Sequence, residues 1–240
     1  MPNETFKYKS LFISDVHLGM NGIRVNELIS FLKDNTAENI FIVGDFIDGL
    51  ELKYKWRWDA EYFVLIQKLL RQIRKGTKIV YIVGNHDYFM ENFIDHDLFG
   101  VNVCMEYEYN NDILILHGHQ FDGLLGKIKW LQSLGSHGYS IILNMNLILN
   151  KYRAKFGFPR YPLSQLIKSK IKSAVNYMND YESLVVDYAK SKGYNKVITG
   201  HIHNPCYKIV DNIHYYNTGD WVENASVIVE HFDGKLELIK

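Results

Sequence analysis

Aspartate and histidine residues placed one residue apart, each set just after a short apolar run, are the feature of this chain that could do chemistry. They form Asp15-Val16-His17, His117-Gly118-His119 and Gly200-His201-Ile202-His203, accompanied by Gly44-Asp45 and Gly84-Asn85-His86-Asp87. Alternate residues of an extended segment point the same way, so each pair can address one ion or two neighbouring ions. Asp15, His17, Asp45, Asn85, His117, His201 and His203 together offer three oxygen and four nitrogen donors. That is enough for two divalent metal ions sharing one carboxylate. Mixed imidazole and carboxylate donors favour manganese, iron or zinc over magnesium. Any one of these residues alone reads as a turn residue or a helix cap, but the whole set has no such explanation.

The apolar runs that must position these residues are 11–13, 40–43, 79–83, 113–116 and 197–198. Each is short, β-branched and bounded by glycine or polar residues, which predicts buried strands. Helical patterns at 22–35 and 56–75 lie between the first three, giving strand–helix–strand units. The expected architecture is an α/β sheet with its ligands at the carboxyl ends of the strands. After Ile209 come closely spaced strands at 206–210, 213–217, 225–230 and 235–239, with Asp211-Asn212 and Asp233-Gly234 as turns. A second, largely antiparallel sheet is expected there. From about 122 to 192 the alternation stops and two or three helical segments follow. Leu163, Leu166, Ile167, Ile171, Ala174, Val175 and Met178 share one face of the last. This stretch reads as a helical insertion, or cap, within a single domain covering 1–240.

Composition narrows the function classes. With 240 residues, of which 47% are hydrophobic, the chain can bury a full core. Lys plus Arg and Asp plus Glu both number 27, so there is no basic excess to hold a nucleic acid. Two lone cysteines, Cys104 and Cys206, fit buried thiols in a reducing compartment. The polar start at 1–10 lacks the pattern of a secretory signal. No apolar run reaches the roughly 20 residues that span a bilayer, and 141–149 is interrupted by Asn144 and Asn146. A cytoplasmic protein is expected.

In order and spacing, the five blocks resemble those of the calcineurin-like metallophosphoesterases over nearly the whole chain apart from the insertion. The resemblance implies a two-sheet β sandwich flanked by helices. It implies Asp15, His17 and His203 as ligands of one metal, Asn85, His117 and His201 as ligands of a second, and Asp45 as the bridge. His86 matches the family histidine that assists at the leaving oxygen. Asp87 reads either as its orienting partner or as a turn residue. The implied reaction is hydrolytic: two cations about 3.5–4 Å apart polarise the phosphoryl group and lower the pKa of a shared water.

Within that superfamily the sequence is most similar to the bacterial UDP-2,3-diacylglucosamine diphosphatase branch, the pyrophosphatases of lipid A synthesis. The shared residues are Gly19 after Asp15-Val16-His17-Leu18, the run Gly44-Asp45-Phe46-Ile47-Asp48-Gly49, Phe121-Asp122, and Asn217-Thr218-Gly219-Asp220-Trp221-Val222-Glu223. In that branch the insertion forms an apolar chamber for acyl chains, which implies a lipid-linked nucleotide substrate, UMP and a lipid monophosphate as products, and peripheral contact with the inner face of the membrane. Two positions depart from the branch: the best-known members carry Arg where His86 stands, and Asp where His119 stands. His119 is expected to sit behind the ligands or to pack beside them.

Other assignments stay open on the residues alone. Trp130, Leu131, Leu134, Ile141, Leu143, Leu147, Phe156 and Phe158 suit a lipid pocket or ordinary core. Lys168 and Lys172, one turn apart, suit a phosphate or sugar or a solvated face. Trp56 and Trp58 suit packing or recognition. The competing functions are a soluble phosphodiesterase or phosphomonoesterase, and a non-catalytic module that keeps the fold. The second is disfavoured because every expected ligand and the catalytic histidine are present.

Overall fold

The computed structural model describes residues 6–96, 98–125 and 163–240. Two compact units divide the chain: Met1–Gln120 with Val185–Lys240, and Phe121–Leu184. Both sheets belong to the first.

One sheet runs β11-β10-β1-β2-β3-β4, the other β5-β6-β7-β9-β8. In the first, β1 (Tyr8–Ile13), β2 (Ala37–Val43), β3 (Lys78–Ile82) and β4 (Val101–Cys104) are parallel. Their side chains divide by the two-residue period of a strand. Leu11, Ile13, Ile40, Ile42, Ile79 and Tyr81 meet α1 (Val25–Asp34) and α3 (Ala60–Arg74), which bury Leu28, Leu32, Tyr62 and Leu65. Phe12, Phe41, Val43, Val80 and Ile82 face the other way. They pack against Tyr109 of β5 (Glu106–Tyr109), Ile113 and Ile115 of β6 (Ile113–Leu116), Ile198 of β7 (Lys196–Thr199), and Tyr216. Phe12 and Phe41 stack inside this layer with centroids 4.9 Å apart. β1, β2 and β3 are therefore buried on both faces over most of their length, which is why their runs read as apolar without alternation.

The fold class is as expected: mixed α/β, with two sheets and helices. Sheet membership is not. The strands at 113–116 and 197–198 belong to the second sheet with β8 (Cys206–Val210) and β9 (Ile213–Asn217), where β6, β7 and β9 are parallel. The last two strands, β10 (Val227–Glu230) and β11 (Leu236–Ile239), leave the second sheet and close the edge of the first, with β10 antiparallel to β1. The reason lies in β10 itself. Val227 and Val229 fill the helix side while Ile228 fills the inter-sheet layer, so this strand needs an interior place. β4 and β5, which carry Asn102, Glu106 and Glu108, and the short α2 (Gly49–Tyr54) were not foreseen. Helix α1 starts at 25 rather than 22, and α3 at 60 rather than 56.

A four-residue helix, α4 (Asp122–Leu125), and the long α5 (Leu163–Ser191) are what the structure describes of the expected cap. Within the second unit the Tyr177 hydroxyl donates to Asp122 Oδ1 at 2.7 Å, and Phe121 meets Tyr181 edge-on. The apolar residues singled out between 130 and 158, and the side chains of Lys168 and Lys172, lie outside the described residues. Cys104 and Cys206 are half-buried thiols, and burial pushes that of Cys104 up to about 12. Among the described residues, no helix is long and apolar enough to cross a membrane.

Candidate metal centre

The chemistry-bearing loops leave β1, β2, β3, β6 and β7 at their carboxyl ends, and glycine lets them converge. A Cβ at Gly44 would overlap the His117 ring, one at Gly84 the Asp45 carboxylate, and one at Gly200 the Asp15 carboxylate. Backbone bonds then tie the loops together. The amides of Asp15 and His17 donate to the carbonyls of Gly44 and Asp45, each at 3.0 Å, and the Gly200 amide to His117 at 3.2 Å. Asp15, His17, Asp45, His201 and His203 all have φ between 51° and 69°. Left-handed backbone is uncommon outside glycine, and clusters of it mark sites where the surroundings over-determine geometry.

Six of the seven expected ligands are brought together in two groups, linked by a third made of His17, Asp45 and His86; Asn85 belongs to none of these groups. Asp15, His17 and His203 form one group, while Asp45, His117 and His201 form another. The candidate ligand atoms within each lie within 4.8 Å of one another. His203 Nε2 is 3.1 Å from Asp15 Oδ1 and 3.4 Å from His17 Nε2. Asp45 Oδ2 stands between the groups, 3.2 Å from His117 Nε2 and 4.0 Å from His17 Nε2. Its other oxygen accepts the His86 amide at 2.7 Å.

Two of the rings are oriented from behind. His117 Nδ1 donates to the Val43 carbonyl at 2.8 Å and His17 Nδ1 to Asp48 Oδ2 at 2.9 Å, so both turn Nε2 toward the carboxylates. Asp15 Oδ2 accepts the His201 amide at 3.0 Å and the Ser14 hydroxyl. The motif at 217–223, with the adjoining Asn224, braces these loops from outside. The Trp221 amide donates to the Asp15 carbonyl, Asn217 Nδ2 to the Gly200 carbonyl and Asn224 Nδ2 to the His203 carbonyl.

These residues fit divalent cations. Asn85 Oδ1 is buried without a hydrogen bond, and Asp15 Oδ1 and His117 Nε2 are buried with only the His203 ring and the Asp45 carboxylate near them, at 3.1 and 3.2 Å and poorly aligned; buried polar atoms of that kind call for a better partner. Burial works against charge on His117, but the Asp45 and Asp15 carboxylates outweigh it and hold its proton up to about 10. The same negative potential that retains a proton attracts a metal, which would take the proton's place.

His86 is two-thirds covered and stands edge-on to His17, with centroids 4.7 Å apart. Its Nδ1 donates to Asp48 Oδ2 at 2.9 Å, leaving Nε2 free of that bond. Asp48 is the residue that sequence reasoning missed: one carboxylate oxygen holds both His17 and His86, and the other caps α2 through the Glu51 amide. Burial pushes the Asp48 carboxyl up, yet the hydrogen bonds from both rings hold it well below the usual carboxylate range. Burial lowers the pKa of His86, and Asp48 and Asp45 more than reverse this.

Asp87 does not orient His86. It points inward, where it accepts the amides of Phe46 at 2.8 Å and Gly84 at 2.6 Å and the Tyr81 hydroxyl at 2.5 Å. Its work is to fix the turn, because adjacent residues of an extended chain point to opposite sides. His119 sits in a single 3₁₀ turn, its ring 5.5 Å from that of His117 and 6.5 Å from that of His201.

Asp48→Asn should test the pairing with His86. Asparagine is an equally good helix N-cap, so the fold should hold while the charge that raises the His86 pKa disappears. Hydrolysis should fall about 10–100-fold. A protonated His86 acting at the leaving oxygen would make activity fall as pH rises through its pKa, so the alkaline limb should move to lower pH. A pH profile with an unchanged alkaline limb would show that Asp48 does not govern His86.

Comparison with known proteins agrees with this geometry. Over 244 residues the chain is 27% identical to the UDP-2,3-diacylglucosamine hydrolase of Histophilus somni (strain 129Pt), covering 92% of this chain and 95% of that protein. It is 26% identical over 254 residues to the protein of that name from Haemophilus influenzae (strain PittGG), covering 96% and 98%. A solved archaeal phosphodiesterase aligns over 96% of this chain and 98% of its own at 14% identity and a TM-score of 0.46, a likeness that supports no reading of function. The Calcineurin-like phosphoesterase family model matches residues 8–205, and with the loops, donors and folding pattern above, the chain belongs to that family of metal-dependent hydrolases.

Proposed function

We propose that the protein is a dinuclear pyrophosphatase that cleaves UDP-2,3-diacylglucosamine, or a similar nucleotide-linked lipid, to UMP and a lipid monophosphate. The observation that carries the dinuclear reading is the Asp45 carboxylate, which is shared by two three-donor groups, one with His117 and His201 and one with His17 and His86. Asp15, His17, His203 and Asp45 would hold one ion, and Asp45, Asn85, His117 and His201 the other. Manganese is the first choice for this donor set, with iron, zinc and magnesium as alternatives. Two such ions supply a Lewis acid for the phosphoryl oxygens and a bound water acidic enough to ionise near neutral pH. The rest falls to the chain. His86, held by Asp48, keeps a proton at the open side of the cluster for the leaving oxygen.

The lipid part of the proposal is supported by the end-to-end alignment with proteins named UDP-2,3-diacylglucosamine hydrolase. One observation favours a second reading, a soluble phosphodiesterase: His86 stands where the best-known diphosphatases of that branch carry arginine. A rate comparison separates the two. Each buried CH₂ contributes about 0.8 kcal/mol, so even four of them give an advantage of about a hundredfold or more. At low concentration, UDP-2,3-diacylglucosamine should be cleaved at least that much faster than UDP-N-acetylglucosamine or a simple aryl phosphodiester. Equal or lower rates on the acylated substrate would favour the soluble phosphodiesterase.

A further inference from the structure

Beside the site, a run of apolar side chains is turned toward solvent. Helix α2 buries none of its residues. Leu52 leans inward onto Gly19, where an added Cβ would lie 2.8 Å from its Cγ. Leu50 and Tyr54, each two residues and so about 200° away around the helix, point outward and are 48% and 87% exposed. Trp56 follows at 76% exposed and stacks on Trp58 with centroids 6.2 Å apart. Trp58 in turn meets the exposed Phe63 edge-on at 6.1 Å. Lys53 and Lys55 are both exposed and flank Tyr54, while Arg57 is spent on Asp59 at 2.9 Å.

Single exposed apolar residues are ordinary, but adjoining ones joined by ring contacts mark a surface that something covers. The composition says what. Tyr and Trp settle at the headgroup level of a bilayer, and lysines lay their stems along apolar surface while their ammonium groups reach the phosphates. The place fits as well, since the patch begins two residues from Asp48, the carboxylate that holds His17 and His86.

We propose that Leu50, Tyr54, Trp56 and Phe63, with Lys53 and Lys55, form a docking face for an anionic lipid bilayer. The purpose of such docking rests on the lipid-linked substrate reading, because an acylated substrate resides in a membrane. The contact itself is a matter of surface chemistry and can be measured without any substrate.

The test is co-sedimentation of the metal-loaded full chain with vesicles of three parts phosphatidylcholine to one part phosphatidylglycerol, against phosphatidylcholine alone. Binding should favour the anionic vesicles and weaken with salt. Tyr54→Ser with Trp56→Ser should lower the partition by about tenfold or more. Lys53→Gln and Lys55→Gln should each cost about fivefold at low salt. Hydrolysis of a small soluble phosphodiester should stay unchanged in all of them. Equal partition of the aromatic variant and the native chain would overturn the proposal. So would a concentration-dependent dimer that Trp56→Ser abolishes, which would assign the face to a second copy. Lost vesicle binding with a retained preference for acylated substrate would remove the docking face alone. Vesicle binding without that preference would remove the substrate reading alone.

Discussion

Replacing Asp45 with alanine should abolish phosphoester hydrolysis while the fold stands. Oδ2 of this carboxylate lies 3.2 Å from His117 Nε2 and 4.0 Å from His17 Nε2, so it is placed to serve both donor groups at once. A metal pair is worth several kcal/mol of transition-state stabilisation, and losing its shared ligand should cost about a thousandfold or more. Metal content should fall toward one ion per chain or none. The structural cost is smaller. Oδ1 accepts the His86 amide, and an amide left without a partner costs about 1–3 kcal/mol. The sheets do not depend on it, because the inter-sheet layer is built from Phe12, Phe41, Val80 and their partners. Metal analysis and a thermal melt of the variant check both halves. Two tightly bound ions in Asp45→Ala would show that the bridge has been wrongly assigned.

The residues brought together were legible because their signal is doubly local. Each motif follows an apolar run, and three of them carry a glycine that lets another loop approach, Gly44 for His117, Gly84 for Asp45 and Gly200 for Asp15. Which sheet a strand joins is not local. Residues 113–116 and 227–230 are buried on both faces wherever they lie, so periodicity could not place them. Side-chain direction within a motif was the other blind spot. Asp87 reads in the sequence as either a partner of His86 or a turn residue, and only the fold shows that it faces Tyr81 and fixes the turn. Asp48 was visible three residues after Asp45, with Glu51 at the spacing of a helix start. Only the fold shows that the cap also grips two imidazoles.

Removal of the metals is the most direct test of the central claim, that this cluster of aspartates, asparagine and histidines is a two-metal hydrolytic centre. Asn85 Oδ1 is buried without a hydrogen bond, Asp15 Oδ1 and His117 Nε2 have only poorly aligned charged neighbours, and the carboxylates beside His117 hold its proton up to about 10. Chelated protein should therefore turn over no phosphoester, melt at a lower temperature, and take up metal more weakly as pH falls, since protons compete for the same nitrogens. Titrating manganese back should restore activity at two ions per chain and raise the melting temperature with concentration, as any ligand specific to the folded state does. The decisive measurement is turnover of an aryl phosphodiester by protein verified metal-free and again after reconstitution. Activity absent in the first and restored in the second at two equivalents is the predicted result, and full turnover by the metal-free protein would contradict it.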